Sequence, residues 1–274
     1  MGKILELKQL NCRTRDIYEK EFQKFKENFH SLYGIDPEAA NPEKIQSYLN
    51  SCYPSLIKHS SVFRIHVAAV RKWFSDRHGT LNLKSPRIDP DPLKILSVPQ
   101  VKKIFASVHS HPCSLMLRLI YESGIRLQEV IKIRIKDVDF EKMTVFVQEN
   151  ESSIVRSSRI PDTIKYDLMR LAHKRDEEEF IFSLRSMKNG STAPISRRTL
   201  QEFLNRISER NGIGRVSIQT LRDSYAIHMI QAGYDLRLIM TQMGLKNIRS
   251  MNRYLRYLDS CHTEEPVLRS PLCD

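Results

Sequence analysis

Residues 219–228 read QTLRDSYAIH, and residues 252–257 read NRYLRY. The first stretch sets Arg222 beside Asp223 in a helix capped by Ser217 and stopped at Gly233, and the second spreads Tyr254 and Tyr257 among Arg253 and Arg256 on a further helix. Between them, Asp235 and Asn247 cap two more helical segments, and Gly244 ends one. A guanidinium grips phosphate oxygens through a planar fork, and a phenol oxygen is able to attack phosphorus. Arginines and tyrosines gathered on adjacent helices therefore direct attention to phosphate chemistry. Packing alone is the plainer reading, because Tyr254 lies on the apolar stripe of Ile248, Met251, Leu255 and Leu258.

Working outward, the rest of the chain is mainly helical. From Thr14 to Tyr33 the apolar residues Ile17, Tyr18, Phe22, Phe25, Phe29 and Leu32 follow a three-and-four spacing, and Gly34 ends the run. Asn41 followed by Pro42 opens a short helix through Ile45, Tyr48 and Leu49. Residues 60–74 form a third helix whose Arg64, Arg71 and Lys72 suit either a phosphate backbone or a solvated face. SPRIDPDPLKIL then breaks helix and sheet alike, and is read as a linker over 86–95. Beyond it, Ser97 caps a helix, a second runs from Cys113 to Glu122 and ends near Gly124, and the period switches from helix to strand. Two β-rich runs, Met143–Val147 and Ile154–Pro161, flank the polar turn ENESS as a hairpin. Residues 162–173 return to helix, KNGSTAPIS is read as a loop, and Ser196 caps the helix that follows.

The expected fold is mainly α with a small antiparallel sheet. It divides into a helical domain over 1–85, the linker, and an α+β domain over 96–274.

Bulk properties narrow the partners. The 274 residues carry a formal net charge of +12. Residues 1–88 hold 15 Lys and Arg against 9 Asp and Glu, half of that net charge, so neither part is a detachable basic tail. Such a field favours a polyanion, nucleic acid first and an anionic membrane second. Five scattered cysteines without a CxxC pair indicate neither a disulfide framework nor a zinc site. The N-terminal stretch lacks a long apolar core and no run of eighteen apolar residues occurs, so the expected setting is cytoplasmic, on the nucleoid, without a membrane anchor.

Two longer segments carry a family resemblance. YESGIRLQEVIKIRIKDVDF at 121–140 and TLRDSYAIHMIQAGYDLRLIMTQMGLKNIRSMNRY at 220–254 resemble the catalytic domain of tyrosine recombinases of the phage integrase and Xer type. Gly124, Ile125, Arg126 and Glu129 match that family's first arginine motif. Leu221, Arg222, Ser224, Tyr225 and Ala226 match its second, which opens here at Gln219, and Gly244 and Tyr254 match its turn and its nucleophile. The resemblance implies a helical DNA-binding arm followed by a catalytic domain. It implies that Arg126 and Arg222 clamp one backbone phosphate while Tyr254 attacks it to give a 3′-phosphotyrosine, with neither metal nor cofactor, and that tetramers form on duplex DNA. Tyr257 is the competing nucleophile, disfavoured by spacing.

The chain departs from the family at several places. Gln219 stands where the family has its histidine base, Asp223 where it has a second histidine, and Leu245 where it has a histidine or tryptophan. The hairpin lysine is missing as well. Asn150 or Ser153 falls near its place, and Lys142 and Arg156 flank it. Two functions therefore remain open: a divergent site-specific DNA recombinase, and a recombinase-fold DNA-binding protein acting as a regulator or accessory factor. In either, Arg64, Arg71 and Lys72 from the arm and Arg197, Arg198 and Gln201 at the start of a later helix are the expected DNA contacts, the two domains closing as a clamp around the duplex.

Overall fold

A computed structural model describes residues 12–56, 60–78, 92–108, 111–148, 155–185 and 192–261. The chain divides into two units between Asp91 and Pro92. Most of the expected linker, the ENESS turn and the C-terminal segment from 262 lie outside the described residues.

The first unit is helical: α1 (Cys12–Tyr33), a 3₁₀ turn (Pro37–Ala39), α2 (Pro42–Leu56) and α3 (Ser60–His78). The Asn41 side chain accepts the Lys44 amide at 2.9 Å, which supplies the expected cap for α2. The buried stripe of α1 is narrower than its apolar pattern. Phe25 and Phe29 are fully buried, while Ile17 and Leu32, near the two ends, are 40% and 61% exposed. The core is largely aromatic. Phe25 meets the Tyr48 ring edge-on at 5.1 Å, and Phe63, Val70 and Phe74 of α3 close over both. Phe22 stacks on Trp73 at 4.1 Å. Such ring pairs add about 0.5–1.5 kcal/mol each beyond the area they bury.

The second unit carries α4 (Val98–Ala106), α5 (Pro112–Ser123) and α6 (Leu127–Lys132) ahead of the sheet. Ser97 and Gln100 satisfy each other's backbone amides at the start of α4. The antiparallel sheet has three strands, β1 (Val138–Asp139), β2 (Thr144–Gln148) and β3 (Val155–Arg159), one more than the sequence marked. On β2, Val145 and Val147 point inward and Phe146 outward. Their partners on β3 are Ser158 and Arg156, so an arginine occupies the inner face of the sheet.

Next come α7 (Lys165–Ala172) and a second hairpin of β4 (Ser183–Arg185) and β5 (Thr192–Pro194). The loop expected at KNGSTAPIS therefore contains a strand. Its three residues are too few to give an alternating pattern, and it is the antiparallel pairing with the equally short β4 that makes it a strand.

The C-terminal helices are α8 (Arg197–Arg210), α9 (Ile218–Gln231), α10 (Leu236–Met243) and α11 (Asn252–Cys261). Their caps are Ser196, Ser217 and Asp235 for the first three, and Asn247 caps a 3₁₀ turn (Ile248–Ser250) before the last. Helix α9 is unusual because residues 220–227 are all buried, which leaves no solvated face. Both of its charged residues in that span, Arg222 and Asp223, must find partners inside the protein. Ser224 of α9 accepts the Leu96 amide at 2.9 Å and so ties the start of the second unit to its centre.

Gly124 ends α5 at φ +66°, in the left-handed region, and a Cβ there would lie 2.6 Å from the Tyr225 ring of α9 and 2.8 Å from Met243 of α10. We expect Gly124→Ala to destabilise the protein by about 2–4 kcal/mol, combining backbone strain with overpacking. Gly34 has the same φ but open space around it, so Gly34→Ala should cost only about 1 kcal/mol. Urea unfolding of the two variants beside the parent measures the difference.

Candidate active site

Arg126 occupies the N-cap of α6, and Glu129 sits three positions on, at N3. The Glu129 carboxylate accepts the Arg126 backbone amide at 2.8 Å through Oε2 and the Arg126 Nη1 at 2.9 Å through Oε1. The R-x-x-E spacing is thus a local device: the helix start fixes the carboxylate, and the carboxylate orients the guanidinium. Glu129 also receives Arg156 Nη2 from β3 at 2.7 Å. The carboxylate is nearly buried, so losing either cation would leave charge poorly solvated.

The same arginines converge on the end of α10. Helix ends leave backbone carbonyls without intrahelical partners, and α10 ends with Gly244 at φ +63°. Arg156 Nη1 donates to the Gln242 carbonyl at 2.8 Å, Arg222 Nη2 to the Met243 carbonyl at 2.6 Å, and Arg126 Nη2 to the Gly244 carbonyl. Three guanidinium groups from α6, β3 and α9 thereby bind three successive oxygens at the negative end of one helix dipole. A Cβ at Gly244 would come within 2.6–2.9 Å of Arg156 and Arg126, so only glycine admits this packing. The other fork of Arg222 is fixed by its Nε, which donates to the Gly124 carbonyl at 2.7 Å. Burial, and secondarily Arg126, lowers the Arg222 pKa, partly offset by Tyr254, Glu129 and Asp223.

Arg126 and Arg222 line one open cleft of ≈ 290 Å³, together with Gln219, Gln201, Ser217 and Arg197. The first residues of α8 and α9 both border it, so two positive helix ends face the same space as the guanidinium groups. Arginines and helix N-termini thus give the cleft wall a positive character.

Tyr254 is not on the cleft wall. It lies on α11, 3% exposed, among Met251, Leu258, Tyr225 and Met243. Its hydroxyl donates to Asp223 Oδ1 at 2.8 Å, and Asp223 follows Arg222 in α9. The same carboxylate oxygen accepts Gln219 Nε2 at 2.9 Å, and Oδ2 accepts Arg253 Nη2 at 3.0 Å. Burial, and next the Asp223 charge with its hydrogen bond, pushes the Tyr254 hydroxyl well above the ordinary tyrosine value, while Arg253 and Arg222 pull it partly back. Tyr257, three residues on, packs at the edge of the same apolar cluster.

The structure therefore gathers Arg126, Arg222 and Gln219 at one cleft, with Tyr254 behind it, joined to Gln219 through Asp223 by two hydrogen bonds. Of the remaining expected contacts, Arg197 is exposed on the cleft, and Arg198 is exposed but paired with Glu202 at 2.8 Å. The Gln201 amide is committed, with Nε2 donating to Asn205 and to the Val216 carbonyl and Oε1 accepting the Ile218 amide. Gln201 thus clamps the start of α9. In the first unit Arg64 is exposed, whereas Arg71 and Lys72 are half-buried. Lys142 is exposed near Asp139, while Arg156 is drawn into the arginine cluster.

Sequence reasoning missed Gln242 altogether. Its side chain accepts Ser158 Oγ at 2.7 Å and the Arg159 amide at 3.1 Å, which holds α10 against the free edge of β3. No local pattern marks such a residue. Glu129 and Asp223 were visible in the motifs, but not as the acceptors that organise them.

Replacing Glu129 by Gln should destabilise the protein by about 3 kcal/mol, because Arg126 and Arg156 lose their shared countercharge. Glu178→Gln, at the exposed pair with Arg134 and Lys136, should leave the urea midpoint where it was.

The phage integrase family model matches residues 94–260. Tyrosine recombinase XerA of Pyrococcus horikoshii is 26% identical over 193 residues, covering 70% of this chain and 66% of that protein, just under two thirds of its length. Tyrosine recombinase XerC of Roseiflexus castenholzii is 24% identical over 285 residues, covering 95% of this chain and 88% of the relative. Among solved structures, XerH site-specific recombinase bound to palindromic difH substrate aligns with a TM-score of 0.67 at 17% identity, over 91% of this chain and 79% of that one. A lambda integrase dimer bound to a core site gives 0.66 at 16% identity, over 95% and 93%. These two likenesses are of fold. Because the family match spans more than half of the sequence and takes in α6, the three-stranded sheet, α9, α10 and most of α11, this chain belongs to the phage integrase family.

Proposed function

We propose that the protein is a site-specific DNA recombinase that cuts and rejoins duplex DNA through Tyr254. The observation that carries this reading is the convergence of Arg126 and Arg222 on one cleft, with the Tyr254 hydroxyl bonded to the residue next to Arg222. A backbone phosphate seated in the cleft takes hydrogen bonds from both guanidinium groups on its non-bridging oxygens, where negative charge builds in the transition state. Tyr254 Oη bonds to phosphorus as the bond to the 5′-oxygen breaks. The phenol loses its proton, the leaving 5′-oxygen gains one from water, and a 3′-phosphotyrosine results. Attack by a 5′-hydroxyl runs the same step backwards and reseals the strand, so the energy of the broken bond is kept in the protein ester.

Gln219, which lines the cleft and bonds Asp223, joins the phosphate site as a hydrogen-bonding group and not as a base. Arg197 and Arg198 at the start of α8, and Arg64, Arg71 and Lys72 on α3, are assigned to DNA from the two basic units, Gln201 acting through the placement of α9. Exchange between two DNA sites requires four protomers, so tetramers on DNA are part of this reading, as is a nucleoid location.

The test uses a nicked duplex containing a site selected from random DNA by binding to the full chain. A covalent protein–DNA adduct is expected from the parent and from Tyr257→Phe, and none from Tyr254→Phe. Arg126→Ala and Arg222→Ala should each slow adduct formation by about 10²–10³-fold. Retardation of the duplex by the parent with no adduct would overturn strand transfer in favour of a binding-only regulator. Binding should also weaken steeply with salt, and Arg197→Ala should reduce the slope of log affinity against log salt by about 1.

A further inference from the structure

Strand cleavage as proposed above leaves one proton unassigned on the protein: the hydrogen of the attacking phenol. Gln219 cannot take it, because an amide has no usable basicity at neutral pH. The phosphate's non-bridging oxygens are the partners of Arg126 and Arg222 in the same reading. Tyr254 is 3% exposed, so bulk water has little access to its ring. Among the described residues, the hydroxyl's acceptor is Asp223 Oδ1, at 2.8 Å.

We infer that Asp223 is the catalytic proton acceptor for Tyr254. Three donors surround this buried carboxylate. Tyr254 and Gln219 share Oδ1, and Arg253 holds Oδ2 from the solvent side, its own side chain 48% exposed and its guanidinium 5.2 Å from the Tyr254 ring. That arrangement fixes the carboxylate plane and aims one lone pair at the phenol hydrogen, within the 2.6–3.2 Å reach that a general base needs.

A carboxylate is a weak base towards a resting phenol, and its charge raises the Tyr254 pKa in the free protein. The comparison changes as the bond to phosphorus forms. Electron density leaves the phenolic oxygen, its remaining hydrogen becomes strongly acidic, and the nearest acceptor receives it without a high-energy intermediate. In the forward step the Oη–H bond breaks, the Oη–P bond forms, the proton passes to Asp223 Oδ1, and the P–O5′ bond breaks with its electron pair going to the 5′-oxygen, which is protonated by water. In resealing, Asp223 returns the proton to Tyr254 as it leaves. The resting hydrogen bond keeps the hydroxyl neutral and oriented until a phosphate arrives.

This inference rests on the strand-transfer reading, and its test separates the two. The full-length parent, Asp223→Asn and Tyr254→Phe are compared on the nicked duplex and on the same duplex carrying sulfur in place of the bridging 5′-oxygen, a leaving group that needs no proton. Asparagine preserves the size and one acceptor oxygen but cannot take the proton. Asp223→Asn should still retard DNA, and should form adduct about 10²–10⁴-fold more slowly on both substrates. On the sulfur substrate the parent should also be slowed in deuterium oxide, since the phenol proton is then the one in flight. That measurement keeps the inference open to refutation even if Asp223→Asn does not fold. Adduct formation by Asp223→Asn at or above the parent rate overturns the inference, as does recovery of Asp223→Asn on the sulfur substrate or a parent rate there that is unchanged in deuterium oxide. If the parent itself forms no adduct, strand transfer fails and the inference with it. If the parent forms adduct but one of the three contrary results appears, the inference alone fails.

Discussion

The C-terminal end of α10 is the constraint from which the candidate site follows. Its last carbonyls need donors, and three arginines from three separate elements supply them in consecutive order, Arg156 to Gln242, Arg222 to Met243 and Arg126 to Gly244. Each of these cations is long and costly to order or bury. Anchoring them on oxygens already fixed by a helix settles their positions before any ligand is present. Glu129 offsets part of the resulting repulsion, and the excess positive charge is left facing the cleft. Preorganisation of this kind matters for phosphate chemistry, because donors that are in place need not reorganise when charge develops.

Helix α9 transmits that constraint to Tyr254. With no solvated face over residues 220–227, its adjacent charged residues point into different environments and carry out different tasks. Arg222 reaches Gly124 and Met243, while Asp223 reaches Tyr254 and Arg253. A shift of α9 would move both groups together, so the Arg222 guanidinium and the Tyr254 hydroxyl bonded to Asp223 are held in register by one rigid element. Gly124 is the pivot of this packing. Its carbonyl receives Arg222, and its missing side chain makes room for Tyr225 and Met243.

Where sequence reading succeeded, the signal was local. Caps at Ser97, Ser196, Ser217 and Asp235 and the stops at Gly34, Gly124 and Gly244 are set by hydrogen bonds within a few residues, and they recur in the structure at the same positions. The hairpin was legible from its two β-rich runs, Met143–Val147 and Ile154–Pro161, which recur as β2 and β3. What each face does was not, since VRSSR places Arg156 and Ser158 on the inner face, where they serve polar partners on α6 and α10 and not an apolar core. β4 and β5, three residues each, carry no period that could have announced them.

The candidate site divides along the same line. The sequence by itself determined which side chains were available and the short-range pairings, above all Arg126 with Glu129, because three residues of helix N-terminus bring them together whatever the rest of the chain does. Tertiary structure alone decided that Arg156 joins Arg126 on one carboxylate, that Gln242 secures the sheet edge, and that Asp223, a mere departure from the family pattern on paper, receives the tyrosine hydroxyl. These contacts span separations from 27 residues upward. They depend on how helices and strands pack, and packing is fixed by the burial of whole faces and the satisfaction of helix ends, quantities that no short window of sequence contains.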